Sequence, residues 1–170
     1  MAQARTINEK EAKRLFAFVG TQRNPIRNKA MLALSYYCGL RAKEIASLTI
    51  GDVIKANGTI KDVADLSAEQ TKGSKGREFY INNAAKQHIA GLIKSMPVIE
   101  RHFPLVQVMG RRKAFSANGI AIAMRNIYID AGFTGCSSHT GRRSSISALA
   151  NKGVGIRIIQ KFSGHRQLQS

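Results

Sequence analysis

Ala12, Leu15, Phe16 and Val19 recur at three- and four-residue intervals, the spacing of one helical face. Thr6 and Glu9 precede them as a T-x-x-E capping box, which predicts a helix over 8–19 ended by Gly20. Pro25 suits the first turn of a second helix, where an N–H has no intrahelical partner to lose. That helix carries Met31, Leu32, Leu34, Tyr36 and Tyr37 and is apolar almost all round, so it should be central. Gly39 stops it, and a short third helix is expected from near Ala42 to near Leu48.

The period then changes. Residues 50–82 hold Gly51, Gly58, Gly73 and Gly76 with β-branched runs between them. Ile60, Val63 and Leu66 are expected in one strand and residues 78–82 in another, with 71–76 as a turn-rich hairpin tip. Helical spacing returns at Ala85, Ile89, Leu92 and Met96, and Pro97 and Pro104 flank a loop. Ile120, Ala123, Ile127 and Ala131 mark another helix closed by Gly132, and two more helices fit 138–151 and 155–162. No repeat or linker interrupts the pattern. The expected fold is one α+β domain over 1–170, mainly helical, with a small antiparallel β-sheet after the third helix.

Charge sharpens this picture. Lys and Arg number 27 against 10 Asp and Glu, a net charge of +17, while 44% of residues are apolar. A folded domain with that self-repulsion implies a polyanionic partner, and nucleic acid is the first candidate. An RNA-coating protein of the ribosomal kind would have the same composition. Cys38 and Cys136 lie far apart with no metal-ligand spacing, and read as buried thiols in a reducing compartment. No apolar run has the length of a membrane span and the N-terminus has no signal-peptide core, so a cytoplasmic, nucleoid-associated protein is expected.

Four basic features punctuate the framework. They are Gly39-Leu40-Arg41-Ala42-Lys43-Glu44 running on to Leu48, Thr71-Lys72-Gly73-Ser74-Lys75-Gly76-Arg77, His139-Thr140-Gly141-Arg142-Arg143, and Gly164-His165. Each motif alone is weak; their order and their secondary-structure contexts are not. Together they resemble the catalytic domain of tyrosine recombinases (the phage integrase family), whose motifs read G-L-R-x-x-E-x-x-x-L, T-K-G-x-K, H-x-x-R and G-H. The resemblance spans nearly the whole chain.

It implies a site-specific recombinase acting on double-stranded DNA through a 3′-phosphotyrosine intermediate, with no cofactor or metal. Cleaving a phosphodiester builds charge on two non-bridging oxygens, which guanidinium forks grip better than lysine. The resemblance assigns that grip to Arg41 and Arg142, with His139 and His165 as further donors. It makes Lys72 the general acid that protonates the leaving 5′ oxygen, and Lys75 is the runner-up. Lys75, Arg77, Arg111, Arg112, Lys113 and Arg143 are secondary DNA-binding candidates. Glu44, one turn from Arg41, is expected to orient a neighbour rather than to move a proton.

Plainer readings stand beside these. The hairpin lysines also describe a solvated tip, His165 a helix-end cap, and Arg111, Arg112 and Lys113 a solvated loop. Phe162-Ser163-Gly164-His165 departs from the usual L-G-H. His88 and His102 have no partners at meaningful spacing. The family's nucleophilic tyrosine follows G-H by two or three helical turns, whereas Tyr36, Tyr37, Tyr80 and Tyr128 all fall in other elements. The expectation is therefore a chain that lacks the tyrosine, the C-terminal tail and an N-terminal core-binding domain. Such a chain binds DNA without cleaving it and is monomeric, while the full-length protein is a tetramer on DNA. The alternatives are a non-catalytic DNA-binding module of the same fold and a type IB topoisomerase-like enzyme.

Overall fold

The computed structural model describes residues 3–73, 75–109 and 111–164. The first helix, α1 (Glu9–Gly20), is capped by Asn8, whose side chain accepts from the Glu11 N–H at 2.8 Å. The expected Thr6 box is thus displaced by two residues. Burial explains the register: Ile7, just before the cap, and Ala12 are both buried, so an apolar pair closes over the first turn. The helix also runs through Gly20 to Thr21 instead of stopping short of the glycine.

The second helix, α2 (Pro25–Tyr36), opens with Pro25 in its first turn, and every residue from 30 to 35 is buried. It is the axis of the domain, and α1, α5 (Asn83–Lys94) and α7 (Thr140–Asn151) pack around it. Gly39 turns the chain out of α2 at φ +69°, and a Cβ there would lie 2.6 Å from the Phe162 ring. The residue meets two demands, a left-handed backbone and close approach of the last helix. Next come α3 (Ala42–Ser47) and the single-turn α4 (Ile50–Val53), held by a reciprocal Thr49–Asp52 cap. A helix of one turn has no periodicity to betray it.

Strands β1 (Val63–Leu66) and β2 (Arg77–Tyr80) pair antiparallel, from Val63 opposite Tyr80 to Leu66 opposite Arg77. Val63 and Leu66 share β1 as expected, but on opposite faces, and Ile60 lies outside it. A strand alternates faces every residue, so Val63 is exposed where Leu66 is buried, and Ile60 instead bridges Ile54. The second strand ends before Asn82 because that side chain caps α5, accepting from the Ala85 N–H.

The remaining helices are α6 (Ala117–Asp130), which packs on α3, and α8 (Ile156–Ser163), which packs on α7 and β2. Small residues let α7 lie close on α2: a Cβ on Gly141 would sit 2.2 Å from the Ser35 hydroxyl oxygen. The N-terminal segment folds back across α7, with the Ile7 N–H donating to Ser144 Oγ and the Arg5 N–H to the Gly135 carbonyl, each at 2.9 Å. The fold is the expected one: mainly helical, with a two-stranded antiparallel sheet inserted after the third helix. Among the described residues no helix is long and apolar enough to cross a membrane.

Candidate functional site

Arg41 stands at the N-terminus of α3 in extended conformation. Its backbone N–H donates to Glu44 Oε2 at 2.8 Å, and its Nη1 lies 3.3 Å from Oε1. Glu44 is wholly buried. A buried carboxylate must be paired, and a second arginine completes the pairing: Arg77 offers Nη2 at 2.8 Å and Nε at 3.3 Å. The Arg77 Nη1 reaches the Phe162 carbonyl at 3.2 Å.

Arg142, in the first turn of α7, is 6% exposed and bridges two carbonyls. Its Nη1 donates to the Gly39 oxygen at 2.7 Å and its Nη2 to the Ser163 oxygen. The end of α2 and the end of α8 are thus fastened to one guanidinium. Burial, and then the charges of Arg41 and Arg77, push Arg142 down from its usual value to about 9, with Glu44 opposing. It still carries its charge at neutral pH. Three cations therefore gather around one carboxylate, with Arg41 the most open at 25% side-chain exposure and Arg77 at 11%.

Lys72 and Lys75 project from the exposed segment between β1 and β2. The segment is tied back at its root. The Thr71 hydroxyl lies 2.8–3.1 Å from the carbonyls of Ala68, Gly73 and Lys75, and Lys43 donates to the Thr71 carbonyl at 3.1 Å. Gln70 donates to Asp52 and to the Ser47 carbonyl. The lysine tip is thereby held against α3, the helix that starts at Arg41. His139 is exposed at the N-cap position of α7, one turn before Arg142, with no side-chain cap bond.

Other expected residues lie elsewhere. Arg143 turns to the N-terminal segment, donating to the Ala4 carbonyl at 3.0 Å and to Gln3 at 2.9 Å. Arg111, Arg112 and Lys113 sit on the exposed loop before α6, where Arg112 lies over the Phe103 ring. His165, and Ser74 in the hairpin tip, fall outside the described residues.

Burial raises the hydroxyls of Tyr36, Tyr37 and Tyr128. Tyr36 and Tyr37 border a cavity of about 590 Å³ between α1, α2 and α7, and Tyr80 is exposed on the sheet. Both cysteines are free and buried, and burial alone pushes Cys38 up to about 12. No group of three or more metal-ligating side chains occurs among the described residues.

The inward turn of Arg77 was not foreseen. A signal did exist: Arg77 and Phe79 are two positions apart on one strand, so they share the buried face.

Comparison with known proteins places the chain in a family and a fold. The sequence model of the phage integrase family matches residues 5–170. The chain is 30% identical over 154 residues to the tyrosine recombinase XerC of Lactobacillus leichmannii, covering 85% of this chain and 48% of that protein. It is 29% identical over 178 aligned positions to XerD of Halalkalibacterium halodurans, covering 100% of this chain and 56% of that one. It spans about half the length of the curated relatives it matches. Among solved structures, the XerA recombinase superposes with a TM-score of 0.77 at 22% identity, covering 98% of this chain and 58% of its own. The Tn1549 transposon integrase, solved in complex with transposon right end DNA, superposes with a TM-score of 0.76 at 14% identity, covering 98% of this chain and 60% of its own. At these identities the two superpositions establish the fold.

Proposed function

The chain belongs to the phage integrase family, and we propose that it carries the phosphate-gripping part of a metal-independent, site-specific DNA recombinase. One observation carries this reading. Arg41 and Arg77 pair with the buried carboxylate of Glu44, and Arg142 lies near enough to feel the charges of all three, so cations outnumber the carboxylate at this partly buried place among the described residues. Such an excess is favourable once an anion arrives. A DNA phosphate satisfies it, and the net charge of +17 fits a long duplex around that phosphate.

In the proposed reaction a tyrosine oxygen attacks phosphorus in line and the 5′ oxygen leaves. A 3′-phosphotyrosine forms and stores the bond for rejoining. Arg41 and Arg142 hold the non-bridging oxygens, and His139 and His165 add donors. The fastening of Arg142 to the Gly39 and Ser163 carbonyls presets its fork, so little reorganisation is needed at the transition state. Lys72 gives its proton to the departing 5′ oxygen. Tyr36, Tyr37, Tyr80 and Tyr128 are not the nucleophile. Assembly on paired DNA sites as a tetramer belongs to the same proposal.

The test uses a chain extended beyond residue 170 that carries a tyrosine after Gly164-His165, offered a nicked suicide duplex. A covalent adduct is expected, and Arg142→Lys should reduce its rate by about 10²–10³ while salt-dependent duplex binding persists. Failure to trap any adduct would sink the recombinase reading in favour of a DNA-binding module. Relaxation of supercoiled plasmid without strand exchange would favour a topoisomerase.

A further inference from the structure

We propose that Arg77 is a positioning residue and not a phosphate ligand: it sets Arg41 through Glu44 and fastens the end of α8 to the root of the lysine hairpin. The inference rests on the reading that Arg41 and Lys72 act on one DNA phosphate. Sequence position makes Arg77 look like one more basic residue of the hairpin tip. Strand geometry turns it the other way, onto the face it shares with buried Phe79.

All three guanidinium nitrogens meet protein acceptors. Nε and Nη2 take the two oxygens of Glu44 side-on, at 3.3 and 2.8 Å, and Nη1 takes the Phe162 carbonyl at 3.2 Å. The Arg77 side chain is 11% exposed. The contrast with Arg41 is direct, since Arg41 gives Glu44 one side-chain nitrogen at 3.3 Å and stays a quarter exposed. By occupying both oxygens of Glu44, Arg77 limits how strongly the carboxylate draws Arg41 inward.

The second half of the role concerns α8. A Cβ on Gly164 would lie 2.5 Å from Arg77 Cδ and 2.9 Å from its Nε. The arginine stem therefore lies across the glycine that ends α8, and the same residue begins β2, beside the hairpin that carries Lys72. One side chain thus joins three of the four motifs, and it can do so because a guanidinium has three nitrogens in a plane. A lysine in its place has a single nitrogen and cannot reach Glu44 and the Phe162 carbonyl together.

The experiment compares the wild-type chain with Arg77→Lys, Arg77→Gln and Gly164→Ala. Two readouts are followed: the arginine side-chain Nε–H resonances by NMR without DNA, and the salt dependence of binding to a duplex. Arg77→Lys should shift the Arg41 resonance and speed amide exchange at Ser163 and Gly164. Arg77→Gln removes the charge, yet the slope of log affinity against log salt should stay within about half a unit of wild type. Gly164→Ala keeps every charge, yet should displace Arg77 and move the same Arg41 resonance. Loss of about one unit of slope in Arg77→Gln would mark a phosphate contact and overturn the proposal. So would an unmoved Arg41 resonance in both Arg77→Lys and Gly164→Ala. If the wild-type chain binds no duplex at all, the recombinase reading fails, while the NMR comparison still decides the role of Arg77.

Discussion

Arg142 and Lys72 carry the same charge and are held in opposite ways. Arg142 is buried at the junction of α2, α7 and α8, with two nitrogens committed to backbone carbonyls. Lys72 stands on an exposed segment whose backbone is tied to the Thr71 hydroxyl at Gly73 and Lys75. The proposed roles call for this division. A grip on developing charge works by being in place beforehand, whereas a proton donor must approach one atom and withdraw. The proposed phosphate holder is the buried side chain, and the proposed proton donor the exposed one.

Alanine at each position should break the comparison most sharply. Arg142→Ala removes the donor shared by Gly39 and Ser163 and is expected to lower stability by about 2–4 kcal/mol. Lys72→Ala should stay within about 0.5 kcal/mol of wild type. Urea unfolding of both variants measures the difference, and equal midpoints would show that Arg142 does not hold the fold together. A smaller effect should follow from prising α7 away without touching its arginine. Gly141→Ala places a methyl 2.2 Å from Ser35 Oγ and should destabilise by about 1–3 kcal/mol, with partial recovery in Ser35→Gly/Gly141→Ala. Thermal melts would show it.

The smallest effect comes from His88, outside both regions, where burial and then Lys29 lower the imidazole below its usual 6.5. The unfolded chain takes up a proton near pH 6.5 that the folded chain resists. Stability is therefore complete above that pH and declines as pH falls through the lowered folded value. His88→Phe, which keeps the stacking on Phe16, should flatten that decline by less than about 1 kcal/mol between pH 7.5 and 5.

Much of the fold was legible because its long helices repeat one apolar face over three turns or more, as α1, α5 and α6 do. What escaped was short or contested. The single turn of α4 offers no period, and the Thr6 box read for α1 gives way to Asn8, where Ile7 and Ala12 are buried on either side of the cap. The site was legible as a set of residue types and not as a set of contacts. Arg41 and Arg142 stand out in their motifs, but the carbonyl that holds Arg142 lies 103 positions away and the carboxylate that holds Arg77 lies 33 away. Motif order carries no information about which nitrogen faces which oxygen. Arg143 makes the same point, since its neighbour Arg142 points into the cluster while it reaches back to Gln3 and Ala4.

That last contact bears on the order of events during synthesis. Residues 3–7 are made well before their partners on α7, which lie 137 to 140 positions later. The segment must wait, undocked, until α7 has been made. The domain therefore closes late, and a stall before α7 emerges would leave Ile7 and the apolar face of α1 uncovered, a state in which chaperone capture and aggregation compete with folding.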